Sequence, residues 1–355
     1  MKKIIIPLIF ILFFAVPVSA HDMEENYVLQ INDITDEYGL DFEQLKDYPL
    51  ETLWQTVKNS IIKSLNAPLK TFYSITAITL ITAFINFFAE DTKGKISRII
   101  NIVSVLLLFY LTGEAFSAMI TTVSAALFDI KNFIATFIPV FAGISFAAGE
   151  ITASAVYTGF FLISVTFIAD FCIAYILPSV NLFLAVGITS QLSSVVKLKP
   201  LCDIYSKTVK ILMTAAVSVL CFVLSLQTVI SQGKDGLMLK AGKLFMTSTV
   251  PIIGSSLENA VGSIYASMGV LKSFCGLAGI GAIISIFLPH IVTLSVNWIG
   301  YQFMIALSEI LENKSVTGLL NCFKDIIEIL LSMCVLFAVL LIFSLTIMIQ
   351  TVGIG

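Results

Sequence analysis

Of 355 residues, 58% are hydrophobic and 12% charged, against about 25% charged in an average soluble chain, and the mean hydropathy is +0.99. So much apolar surface cannot be hidden in a water-soluble core, and the fold class to expect is all-α, a polytopic helical membrane protein. The formal charge of −3 provides no basic footprint and argues against nucleic acid as a partner.

The chain opens with Lys2 and Lys3, an apolar run over 4–16 and the small-residue site Val18-Ser19-Ala20. This is the pattern of a signal peptide (1–20) cut after Ala20; 13 apolar residues fall short of the roughly 20 needed to span a bilayer. Its removal leaves 18 basic against 23 acidic residues, a charge of −5.

The segment 21–67 is expected to lie outside the cytoplasm. From Asp22 to Glu51 it carries ten acids and one base, Lys46, a composition that favours loose structure. From residue 50 onward Leu50, Leu53, Trp54, Val57, Ile61 and Leu65 recur at helical spacing, with Asp47 and Pro49 as a start signal. This amphipathic helix suits the outer membrane interface, a groove on another protein, or the chain's own membrane domain.

Residues 68–355 form the membrane domain, with apolar stretches at about 69–89, 99–121, 133–149, 151–171, 172–190, 211–231, 247–270, 274–296, 297–311 and 329–350. Several are too short or too polar to span independently, so about seven to ten membrane segments are expected. A first span running inward delivers Lys93, Lys95 and Arg98 to the cytoplasm, as the positive-inside rule requires. Four further crossings place Lys197, Lys199, Lys207 and Lys210 inside as well, but one more puts Lys234, Lys240 and Lys243 outside. A re-entrant or interfacial segment at 133–149 or 247–270 relieves that conflict.

An internal echo suggests a duplicated unit, 134–230 and 247–350. Ile138-Pro139-Val140-Phe141-Ala142-Gly143 resembles Val250-Pro251-Ile252-Ile253-Gly254, and Ile176-Leu177-Pro178 resembles Phe287-Leu288-Pro289. Paired interruptions of this kind build sites from broken helices in transporter folds, which singles out Pro139, Gly143, Pro251 and Gly254.

Ionisable residues within apolar sequence are costly and mark polar interiors or helix ends. Glu114, Lys272 and Glu309 read as helix-end charges in the headgroup zone. Glu150, Asp170, Glu258 and His290 are candidates for a polar path or a proton- or cation-coupling site, with His290 alternatively bonding a carbonyl freed by Pro289. The six cysteines lie mostly in apolar runs without C-x-x-C spacing and read as packing residues. Gly276, Gly279 and Gly281 read as points of close helix contact.

Enzyme motifs lack their supporting elements. Ser60-Ile61-Ile62-Lys63 stands without the other motifs of its class, Lys240-Ala241-Gly242-Lys243 lacks P-loop spacing, and His21 and His290 cannot form H-E-x-x-H. No cofactor or metal is expected.

The order of signal peptide, acidic segment, amphipathic helix and membrane domain, with Thr249-Val250-Pro251-Ile252-Ile253-Gly254, Gly269-Val270-Leu271-Lys272-Ser273 and Ser225-Leu226-Gln227, resembles the stage III sporulation protein AE family of endospore-forming bacteria. The resemblance covers essentially the whole chain and is strongest over 225–350. It implies a non-enzymatic component of the transenvelope channel, or feeding tube, between mother cell and forespore. The implied location is the mother-cell membrane around the forespore. The implied partners are the other proteins of the stage III sporulation A complex, including a separate ATPase and ring-forming membrane proteins, and indirectly a forespore membrane protein. The alternative is an autonomous permease-like secondary transporter using Glu150, Asp170 or Glu258.

Overall fold

The computed structural model describes residues 49–89, 95–148, 150–192, 200–201, 204–216, 218, 222 and 254–350. The signal sequence, the acidic segment to residue 48, Pro251 and the end of the first repeat unit lie outside the described residues. Every regular element within them is helical, as lipid demands of a chain that must satisfy its backbone internally.

In chain order these are α1 (Pro49–Ala89), α2 (Lys95–Ala147), α3 (Ile151–Val156), a π turn (Tyr157–Phe161), α4 (Leu162–Phe171), a second π turn (Cys172–Ile176) and α5 (Leu177–Leu192). Then follow α6 (204–216), α7 (Gly254–Ile310) and α8 (Lys314–Gln350). Among the described residues, 5 runs are long and apolar enough to cross a membrane: Thr71–Phe88, Ser97–Ala147, Ser154–Leu192, Gly269–Ile310 and Lys314–Ile349.

Several apolar stretches of the sequence therefore fuse. Those at 99–121 and 133–149 belong to α2, those at 274–296 and 297–311 to α7, and the amphipathic segment after residue 50 continues into the first span as α1. Polar residues such as Asp129 and Asn132 lower the local hydropathy but leave the helical hydrogen-bond ladder intact.

The expectation of a break at Pro139 and Gly143 is corrected: α2 passes through both, as α7 passes through Pro289. Proline removes one N–H, a loss that membrane helices absorb by local adjustment. A Cβ on Gly143 would meet nothing within 4 Å, so this glycine serves no close approach. Gly254 is the first residue of α7. The turn of Ala148 and Glu150 has no counterpart 111 residues further on, where 259 and 261 lie inside α7.

The core is a bundle of α2, α7 and α8 flanked by α1 and by the α3–α5 run. Phe116 packs at 5.7 Å from Tyr301 and stacks at 4.3 Å on Phe323. Further along, a Cβ on Gly279 would stand 2.5 Å from Phe137 and 2.9 Å from Leu345. These two levels are separated by about 22 residues on each helix, or about 33 Å at 1.5 Å per residue. α2 and α8 therefore run alongside in the same direction, with α7 antiparallel to both.

Phe72 of α1 meets Tyr301 edge-on at 5.6 Å. Beyond it α1 and α2 form a hairpin tied by the Thr82 and Ser104 hydroxyls (2.6 Å) and by the Asn86 amide donating to Asn101 Oδ1 (2.9 Å). The hairpin's outer surface is apolar, with Phe84, Phe87, Phe88, Val103, Leu107 and Tyr110 exposed.

Length is itself informative. α2, α7 and α8 contain 53, 57 and 37 residues, whereas a span tilted by as much as 40° needs only about 26 to cross about 30 Å of hydrocarbon. All three overshoot the bilayer.

The α7–α8 connection is a Schellman turn. Glu312 N–H donates to Glu309 O and Asn313 N–H to Ser308 O, each 3.0 Å, and Glu312 takes φ 53°, where glycine carries no steric cost.

Three outcomes are expected from thermal unfolding in detergent micelles. Gly279→Leu should cost about 1–3 kcal/mol by displacing Phe137 and Leu345, while Gly143→Ala, with open space for its Cβ, should gain about 0.5–1 kcal/mol of helix stability. Glu312→Gly should add about 1 kcal/mol by relieving the left-handed conformation.

Candidate functional site

α2 ends in a sharp reversal. Ala148 N–H donates to Ile144 O and Glu150 N–H to Ser145 O, while Glu150 O accepts from Ser154 N–H and so starts α3, each bond 2.9 Å. Ser154 Oγ donates back to Ala142 O at 2.8 Å. This turn fixes the Glu150 carboxylate at the N-terminal end of α3, where the helix dipole favours negative charge.

Lys272 arrives from α7 and donates to Glu150 Oε2 at 2.6 Å, with side-chain exposures of 0% for the lysine and 8% for the glutamate. The ammonium also lies 5.7 Å from the centre of the Phe141 ring, within range of a cation–π attraction. The reading of Lys272 as a headgroup-zone charge is thus corrected: protein encloses it completely. Burial without a counterion is prohibitive, and Glu150 supplies that counterion.

A second pair has the opposite setting. Lys131 of α2 donates to Asp170 of α4 at 2.6 Å, with side-chain exposures of 29% and 52%. Asp170 lies just before the second π turn, a type of irregularity often found at functional positions. In a third station both carboxylate oxygens of Glu328 on α8 are engaged, Oε2 by Lys210 of α6 at 3.1 Å and Oε1 by Trp298 Nε1 of α7 at 3.2 Å.

His290 is partly buried on α7, its Nδ1–H donating to Ile286 O at 2.8 Å. The carbonyl freed by Pro289 is that of Ser285, so the bond from His290 goes to a different group. Asp129 of α2 lies within electrostatic reach of the imidazole. Glu258 is on α7, about 21 Å along the axis from Lys272, and its side chain is outside the described residues. Glu114 and Glu309 are exposed.

Of the four acids and bases singled out from the sequence, Glu150 and Asp170 each have a lysine partner and His290 has an acidic neighbour. They do not converge. Lys131 lies about 24 Å along α2 from the end of that helix, beyond which Glu150 sits, so the bundle holds separate ionic stations rather than one relay. Sequence reasoning passed over Lys131, Lys210 and Glu328 as partners; their only local signal is charge beside apolar residues. Among the described residues no three His, Cys, Asp or Glu side chains gather as a metal ligand set.

Long apolar helices carrying charges in pairs define a multi-pass helical membrane protein. More narrowly, the chain belongs to the stage III sporulation protein AE family, whose model matches residues 36–352. With that membership comes a role in sporulation. No curated protein and no solved structure matches the chain.

Lys272→Met should destabilise the protein by about 3–5 kcal/mol, since it strands a buried carboxylate. The double change Glu150→Met with Lys272→Met should recover most of the loss in micellar unfolding experiments. Separate, additive losses would show that the two groups are not coupled.

Proposed function

We propose that this chain is a non-enzymatic integral membrane component of the transenvelope channel complex joining mother cell and forespore. It sits in the mother-cell membrane surrounding the forespore, with its mature N-terminus outside the cytoplasm. The observation that carries the reading is family membership over residues 36–352.

Two features support it. Apolar helices that outrun the bilayer suit a subunit that meets other proteins beyond the membrane surface. The sequence offers no nucleotide-binding loop, which fits energy input from a separate ATPase of the stage III sporulation A complex. Ring-forming membrane proteins of that complex are the other partners, and through them a protein of the forespore membrane.

Deleting the gene should leave engulfed forespores that stop developing, with a collapse in heat-resistant spores that the wild-type copy reverses. Tagged protein from sporulating cells should co-purify the ATPase and ring-forming partners. Normal sporulation in the deletion strain overturns the proposal. If purified protein alone, reconstituted in liposomes, moves a solute and Glu258→Gln abolishes that movement, the chain is an autonomous secondary transporter instead.

A further inference from the structure

One face of α2 changes character along its length. At 99–111 it exposes large apolar side chains, among them Ile99, Val103, Leu107 and Tyr110. From residue 114 to 136 the same face exposes Glu114, Thr121, Thr122, Asp129, Asn132 and Thr136, and Phe128 is its one large exposed hydrophobic. The opposite face remains buried and apolar through Ile120, Leu127, Ile130 and Phe137.

The neighbouring α4–α5 run adds polar and small exposed positions over the same length. It is joined to α2 at Lys131–Asp170, and it reaches the Phe116 level where Gly187 abuts Cys322, next to Phe323. After Asp170 its exposed positions are Ala174, Tyr175, Pro178, Asn181, Leu182, Ala185 and Thr189, so polar and small residues share this face with two large apolar side chains, Tyr175 and Leu182. Two adjacent antiparallel helices thus present mainly polar and small side chains outward, interrupted by Phe128, Tyr175 and Leu182, for about 20 residues, about 30 Å, the thickness of the hydrocarbon core.

Back-bonded hydroxyls are not decisive. Thr121, Thr122 and Thr136 donate to the carbonyls of their own helix and tolerate lipid on that account. The carboxylates of Glu114 and Asp129, the amides of Asn132 and Asn181 and the half-exposed Lys131–Asp170 pair do not, because hydrocarbon offers nothing in place of water.

An axial position outside the bilayer does not explain the stripe either. At the same level other faces expose large apolar groups: Ile211 on α6, next to the Lys210 that binds Glu328, and Ile299 on α7, near Tyr301. Those faces suit lipid, whereas the exposed carboxylates and amides of this level gather on the α2 and α4–α5 side.

The geometry points to a water-filled passage along this side, for which α2 residues 114–136 and α4–α5 residues 170–189 form one wall, with Lys131–Asp170 lying across it. The inference depends on the chain being embedded in lipid and not on the sporulation role, so the two stand or fall separately.

The test is thiol accessibility in the full-length chain, with its native cysteines replaced, in sealed membranes. Thr122→Cys, Asn132→Cys and Asn181→Cys are compared with Ile211→Cys and Ile299→Cys, using a membrane-impermeant maleimide and gel filtration to check folding. The wall positions should react on the order of a hundredfold faster, since a thiol facing hydrocarbon forms little thiolate. Three outcomes overturn the passage. Equal and slow reaction at all positions places the stripe against lipid. Equal and fast reaction places the whole level outside the bilayer. Slow reaction at the wall positions with oxidative cross-linking between chains makes the stripe a packing seam.

Discussion

Helices in lipid gain little from hiding apolar side chains, because the acyl chains are as apolar as leucine; close van der Waals contact must hold them together. In this bundle the contact is made where α7 presents Gly276 and Gly279 to Phe141, Phe137, Ile349 and Leu345 of its two neighbours. That seam fixes the register of α2 against α7 and α8. Every other feature inherits its position from it, including the aromatic cluster of Phe116, Tyr301 and Phe323.

The ionic pairs are consequences of the same register. Lys272 lies four residues before Gly276, so the contact that seats Phe141 against Gly276 also brings the ammonium beside the Phe141 ring and the Glu150 carboxylate. The low dielectric that makes either charge intolerable alone makes their attraction strong. Lys131 and Asp170 face outward, where neighbouring groups or water share the solvation.

The membrane nature of the chain was legible from composition, and the family from motifs spread along its length. Glu150 and Asp170 were visible as acids in apolar sequence. Their partners were not, because Lys272 is 122 residues from Glu150 and Lys131 is 39 from Asp170, and local patterns carry no information about which helix faces which. Segment boundaries failed for a different reason: hydropathy averaging reads the polar residues within 122–132 as the end of one span and the start of another, whereas a helix continues for as long as its backbone bonds are met. Pro139 misled in the same way, since proline is a weaker helix breaker in a packed membrane bundle than in water.

The two π turns at Tyr157–Phe161 and Cys172–Ile176 have a consequence for how the chain tolerates change. Each accommodates an extra residue within a helix, and one residue corresponds to about 100° of rotation about the axis. Losing that extra residue would return the turn to regular α-helix with the flanking faces preserved, whereas losing a residue from the regular stretch of α4 before Asp170 would swing Asp170 around and away from Lys131 with every side chain still present. The Lys131–Asp170 pairing is therefore written in where residues between Glu150 and Asp170 are gained or lost as much as in its chemistry: a change absorbed at a π turn keeps both charges facing, and one in a regular stretch parts them.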